Sequence, residues 1–276
     1  MKSDSAVEPQ GPEENTPSGL RGVKNIIIVM SGKGGVGKST VTVELALTLR
    51  SMGKKVGILD IDLCGPSIPR MFGISNQRVH QSSYGWIPVY PLADKTIALM
   101  SIGFLMNNPD EAVVWRGPKK NSLIKQLLDG VYWDDIDYLL IDTPPGTSDE
   151  HITIVEALRQ YSPEGAVLVT TPQAVSVADV RREITFCRKA TLPILGVVEN
   201  MSGFICPNCE ECTNVFSSGG GKDLAEEYAI PYLGNIPIDP ELTKTLEEGG
   251  NFIEKFPDSR VASTMRTIVT NLIRDQ

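Results

Sequence analysis

Asn25-Ile26-Ile27-Ile28-Val29-Met30-Ser31-Gly32-Lys33-Gly34-Gly35-Val36-Gly37-Lys38-Ser39-Thr40 decides the fold. Residues 25–31 form a run of Ile and Val typical of a strand buried on both faces. A glycine-rich loop follows over 32–37. Val41, Leu45, Leu49 and Met52 then recur at helical spacing, Gly53 is a stop signal, and 56–59 is the next apolar run. Strand, loop, helix, strand in that order needs a right-handed crossover and implies a parallel sheet.

The alternation continues outward. Short apolar strands are predicted at 138–141, 165–170, 194–198 and 232–236, with helices at 174–190, from near Gly221, and at 261–273. Between Pro66 and Pro118 the pattern is less regular, with a strand at 97–100 and a helix at 121–128 as its clearest parts. Residues 1–23 are rich in Pro, Glu, Ser and Gly and read as a disordered tail, leaving one doubly wound, mostly parallel α/β domain over 24–276. No internal repeat is found.

Composition narrows the function. Of 276 residues, 41% are hydrophobic and 22% charged, ordinary for a globular chain. Asp plus Glu outnumber Lys plus Arg by 34 to 26, so the formal charge is −8, which counts against general binding to nucleic acid or anionic membrane. No apolar run approaches the roughly 20 residues of a membrane span, and the N-terminal stretch has no apolar core of the signal-peptide type. The five cysteines are odd in number and three crowd into seven residues, a pattern for a reducing, cytoplasmic or nuclear setting rather than a disulfide framework.

Gly32-Lys33-Gly34-Gly35-Val36-Gly37-Lys38-Ser39-Thr40 matches G-x-x-x-x-G-K-[ST] in the required context of strand before and helix after. Glycines let successive N–H groups turn inward around a phosphate, and the helix N-terminus adds its dipole. Lys38 reaches β- and γ-phosphates, and the Ser39 hydroxyl takes a place on Mg²⁺. The extra Lys33 inside the loop resembles the deviant phosphate loop of the dimeric ATPase class that includes the nitrogenase iron protein and the bacterial division-site and partition ATPases. That resemblance implies that Lys33 crosses a dimer interface to the partner's nucleotide, much as an arginine finger does. It also implies that Asp142, closing the strand at 138–141, is the Walker B carboxylate on the Mg²⁺ side. Asp62 then orients the attacking water, with Asp60 ranked below it. The guanine-reading Asn-Lys-x-Asp motif is absent. In the related ATPases an Asn and a Pro at the places of Asn200 and Pro237 line an adenine pocket, which favours ATP over GTP.

Cys206-Pro207-Asn208-Cys209-Glu210-Glu211-Cys212 sits in a loop spanning about 201–218. Two cysteines three apart grip one metal centre. The spacing alone leaves open half a zinc site, a redox dithiol or half of an iron–sulfur site. No fourth Cys or His is near, and a second subunit related by two-fold symmetry would complete either a zinc site or a [4Fe–4S] set.

The phosphate loop, Trp115-Arg116-Gly117-Pro118, Asp142-Thr143-Pro144-Pro145-Gly146-Thr147 and Cys206-Pro207-x-Cys209 occur in that order in the Mrp/nucleotide-binding-protein family of iron–sulfur scaffold ATPases, which this chain resembles from about residue 23 to 256. The resemblance implies ATP, Mg²⁺ and a labile [4Fe–4S] cluster bridged between subunits by Cys206 and Cys209 and passed to apoproteins. Residues 1–24 lack the four cysteines of the family's longer type, so the chain resembles the short type, which joins the long type in a 2:2 assembly, a homodimer being the other possibility. The rival readings are an ATP-driven electron donor like the nitrogenase iron protein, a positioning ATPase and a structural zinc protein. Cys64 and Cys187 read as packed thiols, and Cys212 as auxiliary.

Overall fold

A computed structural model describes residues 19–63, 65–106, 117–205 and 212–274. Its strands are β1 (Val23–Met30), β2 (Val56–Asp60), β3 (His80–Ser82), β4 (Gly85–Ile87), β5 (Ile97–Ser101), β6 (Ile136–Asp142), β7 (Gly165–Thr170), β8 (Ile194–Glu199), β9 (Phe204–Ile205), β10 (Cys212–Thr213) and β11 (Tyr232–Asn235). Its helices are α1 (Lys38–Ser51), α2 (Ile68–Met71), α3 (Gly117–Gly130), α4 (Asp149–Leu158), α5 (Ala174–Ala190), α6 (Gly220–Tyr228), α7 (Pro240–Glu247), α8 (Phe252–Lys255) and α9 (Arg260–Arg274).

Seven strands form a parallel sheet in the order β11-β8-β7-β1-β6-β2-β5. The two-residue period of a strand sends alternate side chains of β1 to opposite cores. Ile27 and Val29 join the layer built by α1, α7, α8 and α9, while Ile26, Ile28 and Met30 join the layer built by α3, α4, α5 and α6. Both faces are therefore covered, which explains why the central strands read as unbroken apolar runs.

One helix departs from expectation. The spacing predicts an apolar stripe on α1, yet every residue from Val41 to Leu49 is buried. α1 lies against the sheet on one side and under α8 and α9 on the other, so its polar members Thr42, Glu44 and Thr48 are enclosed as well. The expected tail also ends sooner than residue 23. Gly19–Gly22 is an ordered turn whose Leu20 side chain is buried against the α3 layer, and the Gly19 N–H donates to the Asp129 carbonyl. The tail over 1–18 lies outside the described residues.

The site position follows from the winding. β1 leads into α1 on one face, while its neighbour β6 leads into α4 on the other. Connections that leave adjacent parallel strands in opposite directions open a crevice at the carboxyl ends of those strands. The phosphate loop and Asp142 stand at that crevice.

Candidate nucleotide site

The loop between β1 and α1 closes over a cavity of about 240 Å³ lined by residues 33–40 together with Asp62 and Pro145. Gly37 caps α1 with φ of 78°, a left-handed backbone where a side chain is strained. A Cβ there would also lie 2.2 Å from the Asn200 amide nitrogen. That nitrogen donates to the Val36 carbonyl at 2.9 Å, tying the end of β8 to the loop. Lys33, Gly34, Gly35 and Thr40 line the cavity, whereas Gly32 does not and instead packs against Asp179, where a Cβ would lie 2.6 Å from its atoms.

Around the first turn of α1 three polar side chains, Lys38, Ser39 and Thr42, converge on Asp142. Lys38 Nζ is 2.7 Å from Asp142 Oδ2 and 3.7 Å from Asp62 Oδ2. Ser39 Oγ donates to Asp142 Oδ2 at 2.6 Å, and Thr42 Oγ1 donates to Asp142 Oδ1 at 2.7 Å. A fully buried carboxylate is tolerated only when paired and hydrogen-bonded in this way. The donor set of hydroxyl and carboxylate oxygens beside a lysine suits a phosphate with a hard divalent cation.

Asp60 stands behind this cluster. β2 ends at Asp60, which is paired in register with Asp142 on β6 and is completely buried. Its carboxyl accepts from Ser101 Oγ at 2.8 Å and from the Asp62 N–H at 3.2 Å. Burial, then the neighbouring Asp142 charge, push its pKa well above the ordinary carboxylate range. Asp62, by contrast, lines the loop cavity. Thr143 and Gly146 hold the segment after Asp142 against β1 by donating to the Val29 and Ser31 carbonyls. Ser148 and His151 then start α4 with a capping box, in which the Ser148 N–H donates to His151 Nδ1 at 3.2 Å.

A larger cavity of about 540 Å³ shares Thr40, Ser67 and Met71 with the first and continues past Asn200, Pro237 and Phe216. Asn200 and Pro237 thus meet on one wall although they lie on different loops. The motif reading assigned no role to Thr42, Glu199 or Phe216. Glu199 carried one legible sign, an acid closing an otherwise apolar strand. Cys64, Trp115, Arg116, Cys206 and Cys209 lie outside the described residues. Among the described residues no group of three or more His, Cys, Asp or Glu is placed to hold a metal ion, and no helix is long and apolar enough to cross a membrane.

A phosphate loop at the crevice of a doubly wound parallel sheet, with lysine, serine and the aspartates at 62 and 142 converging on it, defines a P-loop nucleotide-binding protein. A family model described as "ParA: NUBPL iron-transfer P-loop NTPase" matches residues 22–273, and the chain belongs to that family. It is similar to the cytosolic Fe-S cluster assembly factor NUBP2 of Bos taurus, 61% identical over 94% of this chain and 96% of that protein. It is also similar to a solved nucleotide-binding protein in complex with ADP from Archaeoglobus fulgidus, 41% identical, with a TM-score of 0.72, covering 88% of this chain and 96% of that one. The cell division protein MinD of Aquifex aeolicus, 19% identical over 90% of this chain and 96% of its own with a TM-score of 0.64, shares the fold.

Proposed function

We propose that this chain is a cytosolic scaffold for iron–sulfur cluster assembly that binds and hydrolyses ATP. Its cargo is a labile [4Fe–4S] cluster, held by Cys206 and Cys209 from each of two subunits and handed to recipient apoproteins. The observation that carries the nucleotide half is the convergence of Lys38, Ser39, Asp62 and Asp142 at the phosphate loop. The cargo half is supported by the Cys-Pro-x-Cys sequence and by the 61% identity to a named cytosolic Fe-S cluster assembly factor.

In this reading the N–H groups of residues 32–40 cradle the phosphates, Lys38 neutralises the β- and γ-oxygens, and Asn200 and Pro237 flank the adenine. Mg²⁺, when bound beside Ser39 and Asp142, supplies charge neutralisation. Asp62 orients a water whose oxygen attacks the γ-phosphorus. The bond to the bridging oxygen breaks, ADP leaves with that electron pair, and inorganic phosphate carries the water's oxygen. Lys33 of a second subunit stabilises the charge spread over the transferring group. Cluster release is ligand exchange: each cysteine sulfur gives up its iron to a recipient thiolate, with no net oxidation. The working form is a 2:2 assembly with the longer family type, and a homodimer is the minimal one. Neither nucleic acid nor membrane is a partner.

The electron-donor and positioning readings are less well supported, because the likeness to the division ATPase at 19% identity concerns the fold alone. The test is anaerobic reconstitution of Cys206→Ser/Cys209→Ser protein with iron and sulfide. Loss of the cluster's visible absorption and of bound iron, with ADP binding retained, is the expected result. A full cluster on the double variant, or zinc in place of iron in the anaerobically purified wild type, refutes the assignment.

A further inference from the structure

The loop that carries the cysteines leaves the sheet at the end of β8 and returns at the start of α6. One carboxylate holds both legs. Glu199, 1% exposed, accepts from Ser202 Oγ at 2.6 Å on the outgoing leg. On the returning leg it accepts from the Gly219 N–H at 3.1 Å and the Gly221 N–H at 2.6 Å, capping an α6 whose N-cap glycine has no side chain to do so. Two of the three partners are backbone N–H groups, one on each carboxyl oxygen, so both oxygens must act as acceptors. The returning leg packs closely at the start of α6, where a Cβ at Gly220 would sit 2.5 Å from the Pro172 carbonyl oxygen.

The same short stretch is the wall of the larger cavity. Asn200 and Met201, next to Glu199 on the outgoing leg, and Phe216, on the returning leg, all line it. The outgoing leg is laced to the Pro237 segment: the Ile236 N–H donates to the Glu199 carbonyl, the Ser202 N–H to the Ile236 carbonyl and the Ile238 N–H to the Gly203 carbonyl, at 2.8–2.9 Å. Asn200 in turn grips the phosphate loop.

We propose that Glu199 is a positioning residue that locks the two legs of the cysteine-bearing loop and the cavity wall into one part, so that an adenine nucleotide in the cavity sets the position of the loop within its own subunit. This rests on the reading of the cavity as the nucleotide site. A ligand touching Asn200 and Met201 on one leg and Phe216 on the other displaces both together only while the carboxylate joins them. The coupling needs no change at a subunit interface.

The test uses the full-length, cluster-free chain and ADP. Labelling of the 206–212 cysteines by a maleimide is followed peptide by peptide with mass spectrometry. In the wild type, saturating ADP should change the labelling rate by at least about 3-fold. In Glu199→Gln the amide presents a donor to a donor, and the ADP effect should shrink to below about 1.5-fold while ADP affinity stays within about 3-fold of wild type. Ser202→Ala removes the carboxylate's side-chain contact on the outgoing leg and leaves the α6 cap intact. It should at least halve the ADP effect, and it decides the matter if Glu199→Gln does not fold. No ADP effect in the wild type, or an undiminished one in the variants, overturns the proposal. Failure of the nucleotide-site reading is separate: it shows as wild-type protein that binds no ADP in a direct titration, whatever the labelling rates.

Discussion

At the scale of single residues, the chain encloses acids for opposite reasons. Asp142 is buried because lysine and hydroxyl donors surround it. Glu44 on α1 is equally buried, yet neither of its carboxylate oxygens has a hydrogen-bond partner, and burial pushes its pKa to about 8. Glu183 on α5 is similar, raised to about 8 mainly by burial. Such groups fold as neutral acids. A folded-state pKa above the unfolded value means that the native chain holds a proton the unfolded chain releases, so stability is lost as pH rises from about 4.5 to about 8. Glu44→Gln cannot ionise. Its stability relative to wild type should therefore grow with pH across that window, by up to about 1.4 kcal/mol per pH unit, and level off above it. Urea unfolding at pH 5, 7 and 9 measures this, and parallel curves for the two proteins would refute it.

At the scale of elements, α4 shows how a helix start is built. Its capping box uses a histidine where Glu or Gln is usual, and the ring is packed edge-on against Phe186. Burial lowers the His151 pKa to about 4 from the ordinary 6.5. The native state resists the proton that the unfolded chain accepts, so stability falls as pH drops from about 6.5 towards 4. His151→Gln keeps an acceptor at the same capping position without titrating and should flatten that acid limb. Ser148→Ala should instead cost about 1 kcal/mol at every pH by removing the cap hydroxyl. Thermal melts across pH 4–7 separate the two, and a His151→Gln profile as steep as wild type would sink the assignment. The start of this helix was open to reading in Ser148-Asp149-Glu150-His151, but the Pro-Pro-Gly run before it masks the periodicity that follows.

At the scale of the whole molecule, the proposed role of Lys33 across a subunit interface would make hydrolysis a property of pairs. Lys33→Ala should keep ADP binding and lose hydrolysis by about 10³-fold, as for removal of an arginine finger. Asp62→Ala should lose hydrolysis by failing to orient water. Mixed in equal amounts, the two inactive proteins should recover activity. In a mixed dimer the subunit with intact Asp62 receives Lys33 from its partner, which gives about a quarter of wild-type sites if exchange is random. Phosphate release assays on the mixture check this, and no recovery despite subunit exchange would place Lys33 in its own subunit's site.

The run over 25–40 carried most of what a sequence can state about this protein. An apolar strand, a glycine loop and a helix are local features, legible because each depends on residues a few positions apart. The same locality made Lys38, Ser39 and the strand-end aspartates readable as a set, and it placed the strands at 97–101, 165–170 and 194–199 within a residue or so. Tertiary structure alone decided the order β11-β8-β7-β1-β6-β2-β5, the enclosure of α1 beneath α9, and the separation of Asp60 behind Asp142 from Asp62 at the cavity. It alone brought Asn200, Phe216 and Pro237 to one wall and gave Glu199 three donors from both legs of a loop. These arrangements depend on residues far apart in the chain meeting across packed layers, and no period of a helix or strand encodes which distant partner a buried group will find.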